Sequence, residues 1–105
     1  MRRGEIWWAT LPLPTGRRPV VLVSRDAAYA AVRTRVIIVE VSTRIRAVPT
    51  EVPLGKRDGL PTRCVANADN VATIPKACLD ERIGVLDDAR IAELDRALRY
   101  AMQLE

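Results

Sequence analysis

The chain has 105 residues, enough for one domain with a real core and too few for two. A hydrophobic content of 49% with 29% charged residues excludes a disordered chain, and no apolar run approaches the roughly 18 residues of a membrane span. The formal net charge of +4 is unevenly spread: residues 1–79 carry 13 basic and 6 acidic side chains, while residues 80–105 carry 4 and 7.

Residues 4–10 (GEIWWAT) read as a first strand. Trp7 and Trp8 point to opposite faces, so one is expected in the core and the other near a surface or interface. Residues 11–16 form a loop, because Pro12, Pro14 and Gly16 cannot continue a sheet. The run 17–24 (RRPVVLVS) follows. Its five consecutive apolar residues from position 19, three of them β-branched, predict a strand covered on both faces. Pro19 fixes its own φ and keeps Arg18 extended, which sets Arg18 at the strand entrance in a constrained direction. Residues 25–31 are Ala-rich and predict one or two helical turns, with Ser24 or Asp26 near the N-cap. Residues 34–42 (TRVIIVEVS) form a long β-branched strand that runs into Thr43, Arg44, Ile45 and Arg46.

Residues 49–54 (PTEVPL) predict a short edge strand limited by Pro49 and Pro53, and 55–61 a turn. Residues 63–66 and 71–74 are expected as strands on either side of a polar bend at 67–70 (NADN), with a single turn at 75–79 and a last strand at 82–86. Asp87 or Asp88 caps a helix over 89–104, in which Ile91, Leu94, Leu98 and Met102 make one apolar stripe facing the sheet. Six short strands and one C-terminal helix place the chain in the mainly β (α+β) class, as a small, strongly bent barrel in a single domain. With no Phe, the core is Val, Ile, Leu and Ala with the two Trp. Cys64 and Cys78 read as reduced core thiols, with a chance disulfide as the alternative. The absence of His argues against a structural zinc site, and the lack of a signal-type apolar segment predicts a soluble cytoplasmic protein.

Of the 17 basic residues 15 are Arg, whose planar guanidinium grips phosphate in a bidentate way. Part of that excess reflects base composition if the genome is GC-rich. A small Arg-rich domain with a pI near 9.7 nevertheless makes nucleic acid the leading partner class. The acidic C-terminal quarter is expected to lie away from the nucleic-acid surface.

The order of motifs resembles the MazF/PemK-like toxins of bacterial toxin–antitoxin pairs. The matching features are GEIWWATL, the Arg-Pro of RRPVVLVS, the strand ending in Ser42-Thr43, the PTEV segment, ADNVATI at 68–74 and the final strand plus helix. They span nearly the whole chain. The resemblance implies an SH3-like barrel, a homodimer, and a ribosome-independent endoribonuclease that cuts single-stranded RNA at short sequences. It also implies an antitoxin partner whose acidic C-terminal tail occupies the RNA groove. The absence of His excludes a two-histidine mechanism and His-ligated metal sites, so cleavage without metal or cofactor is expected.

In that family the Arg before Pro on the second strand and a Thr at the end of the third are the catalytic pair, positions held here by Arg18 and Thr43. RNA carries its own nucleophile, the 2′-OH, so the enzyme needs only to align it, shift protons and stabilise added negative charge. Arg18 is expected to stabilise the phosphorane-like transition state and help protonate the leaving 5′-oxygen, and Thr43 to hydrogen-bond a non-bridging oxygen. The electrostatic role suits Arg18 better, since a guanidinium is a poor acid. Asp69 aligns with an Asp that some family members use as a base, but their Arg two residues earlier is Asn67 here. A carboxylate capping the bend is the alternative reading of Asp69, and Glu51 is a further candidate for the base. Arg17, Arg25, Arg44, Arg46, Lys56 and Arg57 are expected to contact phosphates, Ser42 to bind the RNA, and Asn67 and Asn70 to read base edges. Taken singly, a solvated charge or a turn amide is the more common fate of each, and only their expected clustering around Arg18 and Thr43 favours RNA binding. Two other functions fit the same barrel: a gyrase-directed toxin, and a non-catalytic RNA-binding module.

Overall fold

The β-branched runs become the middle strands of one antiparallel sheet. The computed structural model describes residues 1–31 and 34–104. Its strands are β1 (Glu5–Thr10), β2 (Arg17–Leu22), β3 (Arg35–Ser42), β4 (Glu51–Leu54), β5 (Cys64–Pro75) and β6 (Leu79–Val85), in the spatial order β4-β5-β3-β2-β1-β6. Helix α1 (Asp26–Ala31) joins β2 to β3, and α2 (Asp88–Met102) follows β6. Among the described residues no pairing joins the edge strands β4 and β6, so the curled sheet is a half-barrel.

The expectation that β2 is covered on both faces holds: Val20, Val21 and Leu22 are all fully buried. Val21 packs with Ile6, Val39, Val41 and Leu54 beneath Leu94 of α2. Val20 and Leu22 pack on the other face with Ala9, Val36, Ile38 and Ile74, where Tyr29 of α1 adds its ring. Asp87 is the N-cap of α2 and accepts the Arg90 N–H at 2.8 Å. No helix among the described residues is long and apolar enough to cross a membrane. Cys64 is buried and Cys78 half-buried, and both are free thiols.

Several details depart from the sequence reading. The polar bend at 67–70 does not separate two strands; β5 runs through it as one 12-residue strand. Val39 pairs with Val71 while Glu40 pairs with Asn67, so Ala68, Asp69 and Asn70 are extra residues in β5, a bulge of three residues. Polar residues are tolerated there because the ladder is already broken. Neither Trp is fully buried, since β1 lies next to the edge strand and both rings stay half-covered. Ser24 does not cap α1; its Oγ accepts the Ile37 N–H at 2.8 Å across to β3. Strand β6 begins at Leu79, three residues before its expected start. Helix α2 ends at Met102 because Gln103 turns left-handed at φ 56°, and Met102 is 47% exposed, leaving Ala97 and Ala101 to complete the buried stripe.

Candidate active site and nucleic-acid interface

Arg18 is the second residue of β2, opposite Ala9 of β1, with its direction fixed by the ladder on one side and Pro19 on the other. Alternation along the strand puts it on the same face as Val20 and Leu22. Its Nη1 donates to Glu40 Oε1 at 3.3 Å and its Nη2 to the Thr15 carbonyl at 3.4 Å, both long for N–H···O bonds. The Nε is buried without a partner among the described residues. A guanidinium has five N–H donors, so most of its capacity is uncommitted while the side chain stays one-third exposed.

Glu40 belongs to a row that crosses the sheet. It faces Val20 on β2 and Asn67 on β5, and Asn67 in turn faces Glu51 on β4. Directly opposed residues share a face, so three polar side chains extend the apolar Val20 position toward the β4 edge. Asn67 is buried and its Oδ1 accepts the Asp69 N–H at 3.0 Å, which shapes the bulge. Asp69 is exposed, and its Oδ2 accepts the Thr50 hydroxyl at 2.7 Å. Glu51 clamps the loop before β4: Oε1 accepts the N–H groups of Arg46 and Ala47 at 2.8 and 2.9 Å, and Oε2 takes the Arg46 Nε at 3.3 Å. Burial pushes its carboxyl pKa up, but these three hydrogen bonds and the Arg46 charge outweigh that and hold it below the ordinary range.

Thr43 lies one residue beyond β3 and is exposed. With Trp8, Pro19, Leu60, Pro61 and Thr62 it lines a cleft of about 100 Å³. Arg18 is not among the lining residues, and no hydrogen bond joins Arg18 to Thr43 among the described residues. Arg17 sits beside this cleft, its guanidinium 4.5 Å from the centre of the Trp8 ring and its Nε 3.5 Å from Asp80 Oδ2. Asp80 also accepts the Thr10 hydroxyl at 2.6 Å. The register of β1 on β6 skips Asp80, and this bulge aims its carboxylate at Arg17. The acidic C-terminal quarter is therefore not wholly remote from the basic face, contrary to the sequence reading.

The remaining expected contacts separate into two groups. Ser42, whose Oγ accepts the Arg44 N–H at 3.0 Å, lies with Arg44 at the Thr43 end of β3, and Arg46 follows on the loop held by Glu51. Asn70 is exposed in the β5 bulge, close in sequence to the buried Asn67. Arg25 lies past the other end of β2, at least four strand residues or about 13 Å from Arg18, where it borders a small pocket with Ser24 and Arg35. Arg57 donates to Asp87 at 3.0 Å at the start of α2, and Lys56 is exposed beside it. Sequence reasoning passed over Glu40. The available signal was a lone carboxylate interrupting VIIV-V in a central strand. Among the described residues no group of three or more His, Cys, Asp or Glu is placed to hold a metal ion.

Residues 2–102 match the family model described as PemK-like, MazF-like toxin of type II toxin-antitoxin system. The chain is 40% identical to the probable endoribonuclease MazF5 of Mycobacterium tuberculosis over 101 residues, covering 95% of this chain and 91% of that protein. Among solved structures it resembles the M. tuberculosis toxin MazF-mt6, with a TM-score of 0.87 and 31% identity over 96% of this chain and 98% of that one. A mycobacterial endoribonuclease in complex with its cognate antitoxin gives a TM-score of 0.86 at 31% identity, covering 100% of this chain and 97% of that one. With the match running from the first strand through the last helix, the chain belongs to the PemK-like, MazF-like toxins of type II toxin–antitoxin systems.

Proposed function

We propose that the chain is a sequence-specific endoribonuclease that cuts single-stranded RNA without a metal ion, as the toxin of a toxin–antitoxin pair. The observation that carries this reading is Arg18: a guanidinium fixed by a strand, partly open to solvent, held by two long hydrogen bonds and with donors to spare. Such a group offers a pentavalent phosphorus the charge it needs without reorganising. The 2′-oxygen attacks the phosphorus, Arg18 stabilises the extra negative charge, and Thr43 donates to a non-bridging oxygen once RNA spans the two. Asp69 is the alternative acid–base group on this face. Products are a 2′,3′-cyclic phosphate, or a 3′-phosphate after ring opening, and a 5′-OH.

Arg17, Ser42, Arg44 and Arg46 supply RNA contacts, and the exposed Asn70 flanks the bases on the bulge that the buried Asn67 shapes. The antitoxin complex known for a relative at 31% identity supports a cognate antitoxin, here with an acidic tail that competes for the same basic face. The homodimer is supported by exposed apolar side chains: Ile37, Met102 and Leu104 are 40%, 47% and 57% exposed and line one groove between α2 and the sheet. The setting of this chemistry is the cytoplasm.

The test is incubation of purified protein with a mixed single-stranded RNA pool in EDTA, followed by end-group analysis. Fragments with 5′-OH ends, absent with Arg18→Ala, support the proposal. Fragments with 5′-phosphate, or cleavage that stops in EDTA, overturn it. Intact RNA that stays bound favours the non-catalytic module, and intact, unbound RNA favours a gyrase-directed toxin.

A further inference from the structure

We propose that Glu40 is the general base that takes the 2′-OH proton, an inference that rests on the endoribonuclease function proposed above. With no His in the chain, the base is sought among the carboxylates around Arg18. Three occupy the strands concerned. Glu51 has both oxygens engaged by Arg46 and Ala47, and its side chain is 2% exposed. Asp69 accepts the Thr50 hydroxyl on β5. Glu40 shares one oxygen with Arg18 at 3.3 Å, and its Oε2 accepts no hydrogen bond among the described residues. Its side chain is 21% exposed, so substrate can reach it.

Placement supports the same role. Glu40 stands on a central strand whose same-face neighbours, Val36 and Ile38, are buried, so the fold has no use for a charge there. The charged group in contact with it is Arg18 from β2, and Glu51, held by Arg46, stands beyond Asn67 in the same cross-strand row. A phosphate oxygen held by Arg18 at about 2.8 Å would lie beside Glu40. The attacking 2′-OH is on the ribose bonded to that phosphate, so the carboxylate comes within reach of it. The 2′-O–H proton passes to Oε2 as the 2′-oxygen bonds to phosphorus. The P–O5′ bond breaks, the leaving 5′-oxygen takes a proton from water, and Glu40 returns its proton to solvent. The hydroxide left by that water is neutralised by the returned proton, so water only carries the proton and is consumed only if the cyclic phosphate is opened.

The test is single-turnover cleavage of the mixed RNA pool by Glu40→Gln across a range of pH, beside binding of 2′-O-methylated RNA, which lacks the nucleophile. Cleavage is expected to slow about 10²–10⁴-fold and to lose the acid limb of the wild-type pH–rate profile. Binding of the methylated RNA should be undiminished, because a negative charge beside Arg18 is gone. Glu40→Asp retains a carboxylate and should keep the limb at a lower rate, which provides a readout should the Gln variant not fold. If Glu40→Gln cuts at the wild-type rate or faster with the limb intact, or if the Asp variant loses the limb, Glu40 is only a counter-ion of Arg18. RNA cleavage by the wild type stands in either case; a wild type that cuts nothing sinks the underlying function instead.

Discussion

Asp58 and Arg90 form a 3.3 Å ion pair that is nearly closed to solvent, with side chains 3% and 14% exposed. It ties the 3₁₀ turn at Lys56–Asp58 to the first turn of α2. The other oxygen of Asp58 accepts the Gly55 N–H at 2.9 Å, and Arg90 also reaches Glu93 at 3.3 Å. Burial works against the charge on Arg90, but the Asp58 carboxylate more than offsets it and raises the guanidinium pKa further.

Asp58→Ala leaves this buried guanidinium with only its Glu93 contact and the Gly55 turn without its acceptor. The expected cost is about 3–5 kcal/mol, as for removal of one member of a buried pair. Urea denaturation of the two proteins measures it; a change below about 1 kcal/mol, the range of surface pairs, would refute this account.

Glu51 makes stability sensitive to acid. Its folded pKa is depressed, so its contribution is fully present above the ordinary glutamate value of 4.5 and is lost as pH falls below that value through the folded one. Glu51→Gln should therefore be less stable than wild type near neutrality, with the gap narrowing as pH drops below 4.5. Urea midpoints followed downward in pH test this, and a gap that widens in acid contradicts it.

Thr43 and Asp69 are expected to differ sharply when replaced. Thr43→Ala should slow RNA cleavage about 10²-fold, the scale of one lost transition-state donor, with Thr43→Ser restoring most of it. Asp69→Asn should cut within a few-fold of wild type, because Asp69 is spent on Thr50. A collapse of the Asp69→Asn rate to the level of Arg18→Ala would return Asp69 to the role of base.

Four arginines at one end of the sheet, Arg17, Arg18, Arg44 and Arg46, give about four phosphate contacts. The logarithm of RNA affinity should then fall against the logarithm of salt concentration with a slope near −3, and Arg17→Ala should lower its magnitude by about 0.7. Fluorescence anisotropy with labelled 2′-O-methylated RNA supplies both slopes, and a flat response excludes the basic face as the binding surface.

The strands and the long helix were legible because their signals are local. Runs such as VVLV and VIIV, and the Asp87 cap before an amphipathic stretch, carry the physics of their own element. The β5 bulge was legible only as polarity, since NADN marks a broken ladder but not whether the chain turns back or continues. Arg18 and Thr43 emerged from order and resemblance, whereas the Arg18–Glu40 contact depends on register across β2 and β3. Asp80 escaped notice for the same reason: a bulge 70 residues after Thr10 in sequence brings it to that hydroxyl. Arg25 and Arg57 were grouped with the site by charge type, which carries no distance.

Val65, Ala66 and Asn67 hydrogen-bond through β3 on one side and β4 on the other. This short stretch is a common wall between the two parts of the sheet, so neither part has a boundary along which it can come away alone. Denaturation should accordingly show a single transition in which the tryptophans on β1 and the backbone of β4 report the same midpoint. Lengthening or shortening the chain at positions 68–70 should disturb both neighbours together, coupling the mouth of the RNA surface to the integrity of the whole sheet.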